Sequence, residues 1–313
     1  MLTLAHSPDA DDAFMWWPIT GKVDATAYER VVAPPVMDTG RFRFRAVPCD
    51  IEQLNRRAIE EGDLDITAMS MHAASHVADR YVLTCCGSSM GDGYGPKVIA
   101  AGTGAERAWN IEEWAERVRN GQVRVAVPGT RTTAFLVLSL LLGTRDFRYE
   151  AIGFEHIAEA VAGGTYDAGV VIHDAQLTYK DLGLGLVVDL GAWWSEHTGG
   201  LPLPLGANAV KRDLDARYGP GSISEITGLL RESIRYALAH RDEAMAYART
   251  FAPGVNAGVL ERFVEMYVND LTGDMGARGE EAVRRLLKEG AQAGFCPPAD
   301  GIQVVRPSWA HTG

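Results

Sequence analysis

Short apolar runs alternate with amphipathic stretches along most of the chain, which predicts strands and helices in succession. The runs Leu2 to Ala5, Asp65 to Met69, Val123 to Val127 and Ala168 to Ile172 read as strands. Phe42 to Val47 alternates apolar and charged residues, as an edge strand does. Ile51 to Glu61 and Ile111 to Val118 carry apolar residues at helical spacing; in the first, Ile51, Leu54, Ala58 and Ile59 share one face. Further helices are predicted from about Asp11 through Trp17, from His72 to His76, and from Thr132 to Leu142. The C-terminal third is mostly helical. Ser222-Ile223-Ser224-Glu225 reads as a capping box ahead of Ile226, Leu230, Ile234 and Leu238, and a last helix spans about Gly279 to Glu289.

This alternation is that of an α/β protein. Two segments, Gly93 to Ala100 and Leu201 to Gly206, mix Gly and Pro with strand-forming residues and read as crossings between lobes, paired as a hinge. Residues 102–200 then form an inserted lobe, and residues 1–100 with 205–313 form the other. Two lobes, two crossings and a cleft between them is the plan of the type II periplasmic-binding-protein-like fold.

Composition narrows the function classes. The 313 residues are 47% hydrophobic and 23% charged, as in a globular protein with a substantial core. The formal net charge is −11 and no basic cluster stands out, which argues against nucleic acid or an anionic membrane as partner. The stretch MLTLAHSPDADDAF lacks the basic and apolar regions of a signal peptide, and no apolar run approaches the ~20 residues of a membrane span. Cys49, Cys85, Cys86 and Cys296 show no CxxC pair and read as core residues in a reducing compartment. The expected location is cytoplasmic, and a homodimer is left open.

Candidate chemistry gathers where strands end and helices begin. The strand from Ala168 stops at His173, and the carboxyl edge of an open α/β sheet is where ligands bind. Imidazole takes or gives a proton near neutral pH, which makes His173 the candidate base. In His6-Ser7-Pro8-Asp9-Ala10-Asp11-Asp12, helix capping accounts for one or two of the three acids. The remainder suits the polar lining of a cleft or a divalent cation, but no second carboxylate-rich motif completes a metal site, and none is assigned. Pro128-Gly129-Thr130-Arg131 leads into a helix whose free amides at Thr132, Thr133 and Ala134 would cradle a carboxylate or phosphate. The strand through Thr67 and Ala68 ends at Ser70, another candidate contact. His72 and His76, four apart, would share a helix face at a spacing zinc sites use, but a third ligand is not evident. Asp174 adjoins His173 too closely to orient it, so the partner of His173 is not legible.

The motifs in their order resemble the 1,4-dihydroxy-6-naphthoate synthase family of the futalosine route to menaquinone. The matching residues include Ser7-Pro8 with Asp12; Thr67 to Ser70; Val125 to Gly129 with Thr132-Thr133-Ala134; Ile172-His173; Asp189-Leu190-Gly191 with Trp193-Trp194; Leu203 to Gly206; and Tyr267-Val268-Asn269. The resemblance implies a two-lobed cytoplasmic enzyme that cleaves cyclic dehypoxanthinylfutalosine to 1,4-dihydroxy-6-naphthoate, releasing a three-carbon fragment, without a cofactor. It implies His173 as proton acceptor, and Ala68, Ser70, Thr132, Thr133, Ala134 and Asp12 as contacts of a carboxylate substrate.

Some positions depart from the family pattern. Ser7-Pro8-Asp9-Ala10-Asp11-Asp12 stands where many members have Ser-Pro-Cys-Pro-Asn-Asp, and Asp174 stands where Glu is common. His6, His72 and Lys97 are more polar than those places require, and Val23 to Arg45 is longer than a minimal member needs. Two other readings compete: a non-catalytic solute-binding or ligand-sensing protein of the same fold, and a related lyase such as a chorismate dehydratase. The missing export signal and the retained His173 favour the synthase over the first, and the Asp-Leu-Gly-x-Trp-Trp motif favours it over the second.

Overall fold

The strands form two principal sheets in a computed structural model that describes residues 1–101 and 110–308. The first sheet runs in the order Val304–Val305, Tyr81–Thr84, Leu203–Lys211, Ile66–Ser70, Leu2–His6, Phe44–Pro48. Leu2–His6 pairs in parallel with both Ile66–Ser70 and Phe44–Pro48, so the carboxyl ends of all three face the same way. Phe44–Pro48 is the edge strand its alternation predicts. The second sheet runs Tyr149–Ala151, Val125–Val127, Ala168–Val171, Lys97–Ala100, Gly185–Asp189, with the first three parallel. The fold is therefore mixed α/β with two lobes.

The two crossing segments do not pair with each other. Lys97–Ala100 is an interior strand of the second sheet, antiparallel to Ala168–Val171 and Gly185–Asp189. Leu203–Lys211 lies in the first sheet, between Ile66–Ser70 and Tyr81–Thr84. Each segment satisfies its backbone within one lobe. The expected start of the inserted lobe, near residue 102, lies outside the described residues. The long stretch after Val23 contains a small hairpin of its own, Lys22–Asp24 with Ala27–Ala33.

Helix Ala10–Thr20 is apolar on every face after its first turn, and every one of its residues is buried, including Asp11 and Asp12. A helix hydrophobic all round belongs inside a core, and its aromatics Phe14, Trp16 and Trp17 share one cluster with Ile226, Leu230 and Ile234 of helix Ser222–Ala239. That stripe continues through Ala237 rather than Leu238, which is 41% exposed, because 3.6 residues per turn carries the face back by one position. The capping box at Ser222 is not formed. Gly221 is the N-cap and Ser222 the first helical residue; the Ser222 hydroxyl donates to Gly219 O, and Asp215 accepts from Ile223 N instead. The helix predicted from His72 to His76 lasts only from Met71 to Ala74.

Candidate active site

A cavity of about 130 Å³ lies where the carboxyl ends of the strands meet, with Ser7, Asp11 and Asn208 on the first sheet's side and Thr132, Ala134 and His173 on the second's. Four buried side-chain atoms in its lining residues, Ser7 Oγ, Asp11 Oδ1, His173 Nε2 and Asn208 Oδ1, have no hydrogen-bond partner among the described residues. A buried polar group without a partner costs about 1–3 kcal/mol. Four such atoms around one cavity mark it as built for a polar ligand.

His173 comes into the cavity from the end of strand Ala168–Val171 and is the one non-glycine residue with positive φ, 53°, among the described residues. A left-handed conformation costs of order 1–3 kcal/mol and persists where surrounding structure enforces it. Here the enforcement comes from both sides. The ring packs 4.5 Å from Phe154 and 6.3 Å from Phe263 (centroid to centroid), and Nδ1 lies 3.0 Å from Asp9 Oδ2. An ionised carboxylate only accepts, so Nδ1 carries a proton, and in the neutral imidazole Nε2 is left with the lone pair. Asp9 is thus the orienting partner that the sequence did not reveal. Its other oxygen caps helix Ala10–Thr20 by accepting from Asp12 N at 3.4 Å, which ties the imidazole to the buried helix of the opposite sheet.

The electrostatics follow from one imidazole beside three carboxyls. Burial works against the His173 cation, but the hydrogen bond and charge of Asp9 outweigh it and hold the pKa above the ordinary histidine value. Burial alone would raise Asp9, yet the His173 charge and hydrogen bond pull it well below the usual carboxylate range. Asp11 has no such cation. Burial, then the charges of Asp9 and Asp12, push its pKa well above the usual carboxylate range. Asp12 is raised to about 7, by burial first and the Asp9 charge second. Asp12 lines the cavity, but both its oxygens already accept, from Ser7 N at 2.8 Å and from Trp16 Nε1 at 2.9 Å.

A raised acid pKa makes the folded state hold a proton that the unfolded chain has released above about pH 3.8, so stability falls as pH rises. Asp11→Asn is expected to raise the melting temperature by roughly 2–4 °C at pH 8 and to change it little at pH 4. An equal shift at both pH values, or none, contradicts the raised pKa of Asp11.

The helix start opposite is partly free. Thr132 is the N-cap of helix Thr133–Leu142, its hydroxyl accepting from Phe135 N. The Thr132 amide itself donates to Gly129 O, so the open donors are the amides of Thr133 and Ala134 and not that of Thr132. The Thr133 hydroxyl donates to Leu205 O at 2.6 Å. Ser70 is held by Asn55, which donates to its hydroxyl at 3.0 Å and accepts from its amide at 2.9 Å, leaving the hydroxyl proton for a ligand. Ala68, next along the same strand, is 8% exposed in the lining.

Glu52 closes the loop ahead of this helix. Both its oxygens accept from Arg131 N, at 3.2 and 3.1 Å, and burial lifts its pKa to about 7. The approach requires Gly129, whose φ is +140° and where an added Cβ would stand 2.5 Å from Glu52 Cδ. Gly129→Ala is therefore expected to break the Glu52–Arg131 contact and raise KM about tenfold. Steady-state kinetics with an unchanged KM would contradict this.

The remaining unusual polar residues are held by structural contacts. Lys97 pairs with Asp189 at 2.9 Å, and Asp189 caps helix Leu190–Thr198. His6 Nδ1 lies 2.7 Å from Ser7 O. The helix stops between His72 and His76, yet their rings lie 5.5 Å apart, centroid to centroid. Their Nε2 atoms contact Arg145 at 3.1 Å and Arg131 at 3.3 Å. Burial and then the neighbouring cations drive the His72 pKa down to about 3. Among the described residues no group of three or more His, Cys, Asp or Glu is placed to hold a metal ion.

Asn55 and Asn208 were not singled out in the sequence, whereas Tyr267, named there only as part of a matching motif, lines the cavity. Asn55 did leave a trace, as a polar residue four after Ile51 on an otherwise apolar face. Asn208 left none.

Comparison with known proteins matches this architecture. A family model described as menaquinone biosynthesis matches residues 2–292. The chain is 38% identical over 299 residues to a Thermus thermophilus protein named 1,4-dihydroxy-6-naphtoate synthase, covering 95% of this chain and 97% of that one. It is 32% identical to a Streptomyces coelicolor protein of the same name, covering 95% of each. A crystal structure of an Archaeoglobus fulgidus protein superposes with a TM-score of 0.77 at 36% identity, covering 94% of this chain and 98% of that one. The alkanesulfonate-binding protein of Xanthomonas axonopodis pv. citri gives a TM-score of 0.64 at 13% identity, covering 97% and 98%, which shows the shared fold alone. No helix among the described residues is long and apolar enough to cross a membrane. With its family model spanning nearly all of the chain and two named synthases above 30% identity, the chain belongs to the menaquinone-biosynthesis family.

Proposed function

We propose that this protein is a cytoplasmic carbon–carbon lyase that converts cyclic dehypoxanthinylfutalosine to 1,4-dihydroxy-6-naphthoate, with His173 as general base and no cofactor. The observation that carries the reading is the His173–Asp9 pair. Its Nε2 is buried, unpartnered and in a cavity residue, while Nδ1 is fixed by a carboxylate 3.0 Å away. A base so oriented contributes typically about 10²–10⁴ in rate.

The substrate carries an aromatic carboxylate, which suits the open amides of Thr133 and Ala134 and the positive end of their helix. Ser70 and Ala68 supply the adjoining wall. With the carboxylate fixed there, the sugar-derived ring reaches toward His173 across the cavity. Proton removal begins the elimination, and the narrow cavity keeps water away from the reacting bond. A binding protein of the same fold would have no use for a strained, carboxylate-paired histidine.

Purified protein incubated with the cyclic compound, with a chelator present and no nucleotide added, is expected to release the naphthoate, read by chromatography. Recovery of the compound bound but unchanged would favour the solute-binding reading.

A further inference from the structure

The unpartnered atoms on the first sheet's side of the cavity are not used by proton abstraction or by the carboxylate cradle. Asn208, on strand Leu203–Lys211, is 1% exposed. Its Nδ2 donates to Gly87 O at 3.0 Å, and a carbonyl oxygen only accepts, so the orientation of the amide is fixed. Its Oδ1 is therefore a pure acceptor, buried and unpartnered. Gly87 leaves no slack: it sits at φ +73°, and an added Cβ would stand 2.4 Å from Asn208 Nδ2 and 2.9 Å from the Trp16 ring. The same Trp16 donates to Asp12, which in turn holds the Ser7 amide. Asn208 and Ser7 are thus fixed through one chain of contacts, and Ser7 Oγ and Asp11 Oδ1 are the other unpartnered atoms there.

We propose that Asn208 Oδ1, with Ser7 Oγ and Asp11 Oδ1, forms a subsite that reads hydroxyl groups of the substrate's sugar-derived portion. The inference rests on the synthase reading and names which end of the substrate each wall takes. An acceptor-only amide oxygen repels an anion, so this wall does not compete for the carboxylate. An apolar group would leave all three atoms unpaired, each at the cost of its lost solvation. A hydroxyl both donates and accepts, and matches an acceptor beside a serine. The spacing fits as well. Leu205 O anchors Thr133 at the cradle, and Asn208 stands three residues further along the same strand, about 10 Å away at 3.3–3.4 Å per residue.

The test is a binding measurement in the His173→Ala background, where the cyclic compound is not consumed. Two ligands are titrated calorimetrically: cyclic dehypoxanthinylfutalosine, and the naphthoate product, which lacks the released three-carbon fragment. Asn208→Leu removes the acceptor at similar volume. It is expected to weaken the cyclic compound about 10–100-fold and the naphthoate less than about twofold. Ser7→Ala, which leaves the Ser7 amide on Asp12, is expected to show the same preference at roughly 3–10-fold. Equal weakening of both ligands in both variants, or no weakening in either, overturns the subsite. If the His173→Ala parent and the wild type bind neither ligand, the synthase reading itself fails and takes the subsite with it.

Discussion

His173→Ala is expected to lower kcat/KM by about 10²–10⁴ while substrate affinity changes by less than about tenfold. The asymmetry follows from what the side chain touches. Nε2 has no partner in the protein and Nδ1 is spoken for by Asp9, so the imidazole is held ready for a ligand proton rather than for ground-state binding. The carboxylate cradle at Thr133 and Ala134 and the wall at Ser70 are untouched by the substitution. Truncation removes a ring packed on Phe154 and Phe263, and alanine leaves the positive φ as strained as before, so the variant is expected to be less stable. Equal losses in affinity and in kcat would assign His173 to binding. Undiminished kcat would remove it as the base.

Asp9→Asn is expected to act almost as strongly on rate, through a different observable. The base must be neutral, so kcat/KM rises as pH passes the His173 pKa. Asp9 holds that pKa above the ordinary value near 6.5 against the opposing effect of burial. Asparagine removes the charge, so the acidic limb of the profile moves to lower pH. The plateau falls too, because the amide can donate to Nδ1 and favour the tautomer with the proton on Nε2, the wrong atom for a base. A loss of about 10²–10⁴ at the plateau, with the limb displaced toward acid, is the expected signature. A uniform loss with no displacement would reduce Asp9 to its helix-capping role.

Stability gives a further check with its own sign. Asp9 has a depressed folded pKa and contributes stability that is present above its unfolded value and lost as pH falls through the folded one. His173, raised in the fold, contributes stability below its unfolded value that is lost as pH rises through the folded one. The pair therefore stabilises most between these limits, in mildly acidic solution.

Much of the fold is legible in the sequence because it rests on local regularities. The apolar runs at Leu2, Asp65, Val123 and Ala168 became strands, and the amphipathic stretch from Ile51 became a helix, each within a residue or two. What was not legible depends on distant partners. The crossing at Gly93 to Ala100 looked like a paired hinge because Gly and Pro flank it, yet Lys97–Ala100 is interior to a sheet, between two strands that both lie more than sixty residues further along the chain. The box at Ser222 had the right letters, but Gly221 and Asp215 took the capping positions.

The site divides in the same way. His173, Ser70 and the helix start at Thr132 could be named because each sits at a strand or helix end, a position visible in the chain. Asp9 could not be named as the partner of His173, since 164 positions separate them and its capping role alone explained it. Asn208 was invisible for a related reason. Nothing in a strand sequence tells which polar residue faces a neighbouring glycine carbonyl and which faces a cavity.

The claim on which the account turns is that His173 is a neutral base with its lone pair at Nε2. Nitrogen-15 NMR of histidine-labelled protein, with His173 assigned by substitution, reports both the tautomer and the pKa. The account predicts a neutral form protonated at Nδ1 and a pKa above the ordinary histidine value. A neutral form protonated at Nε2, or a pKa at or below 6.5, would contradict it.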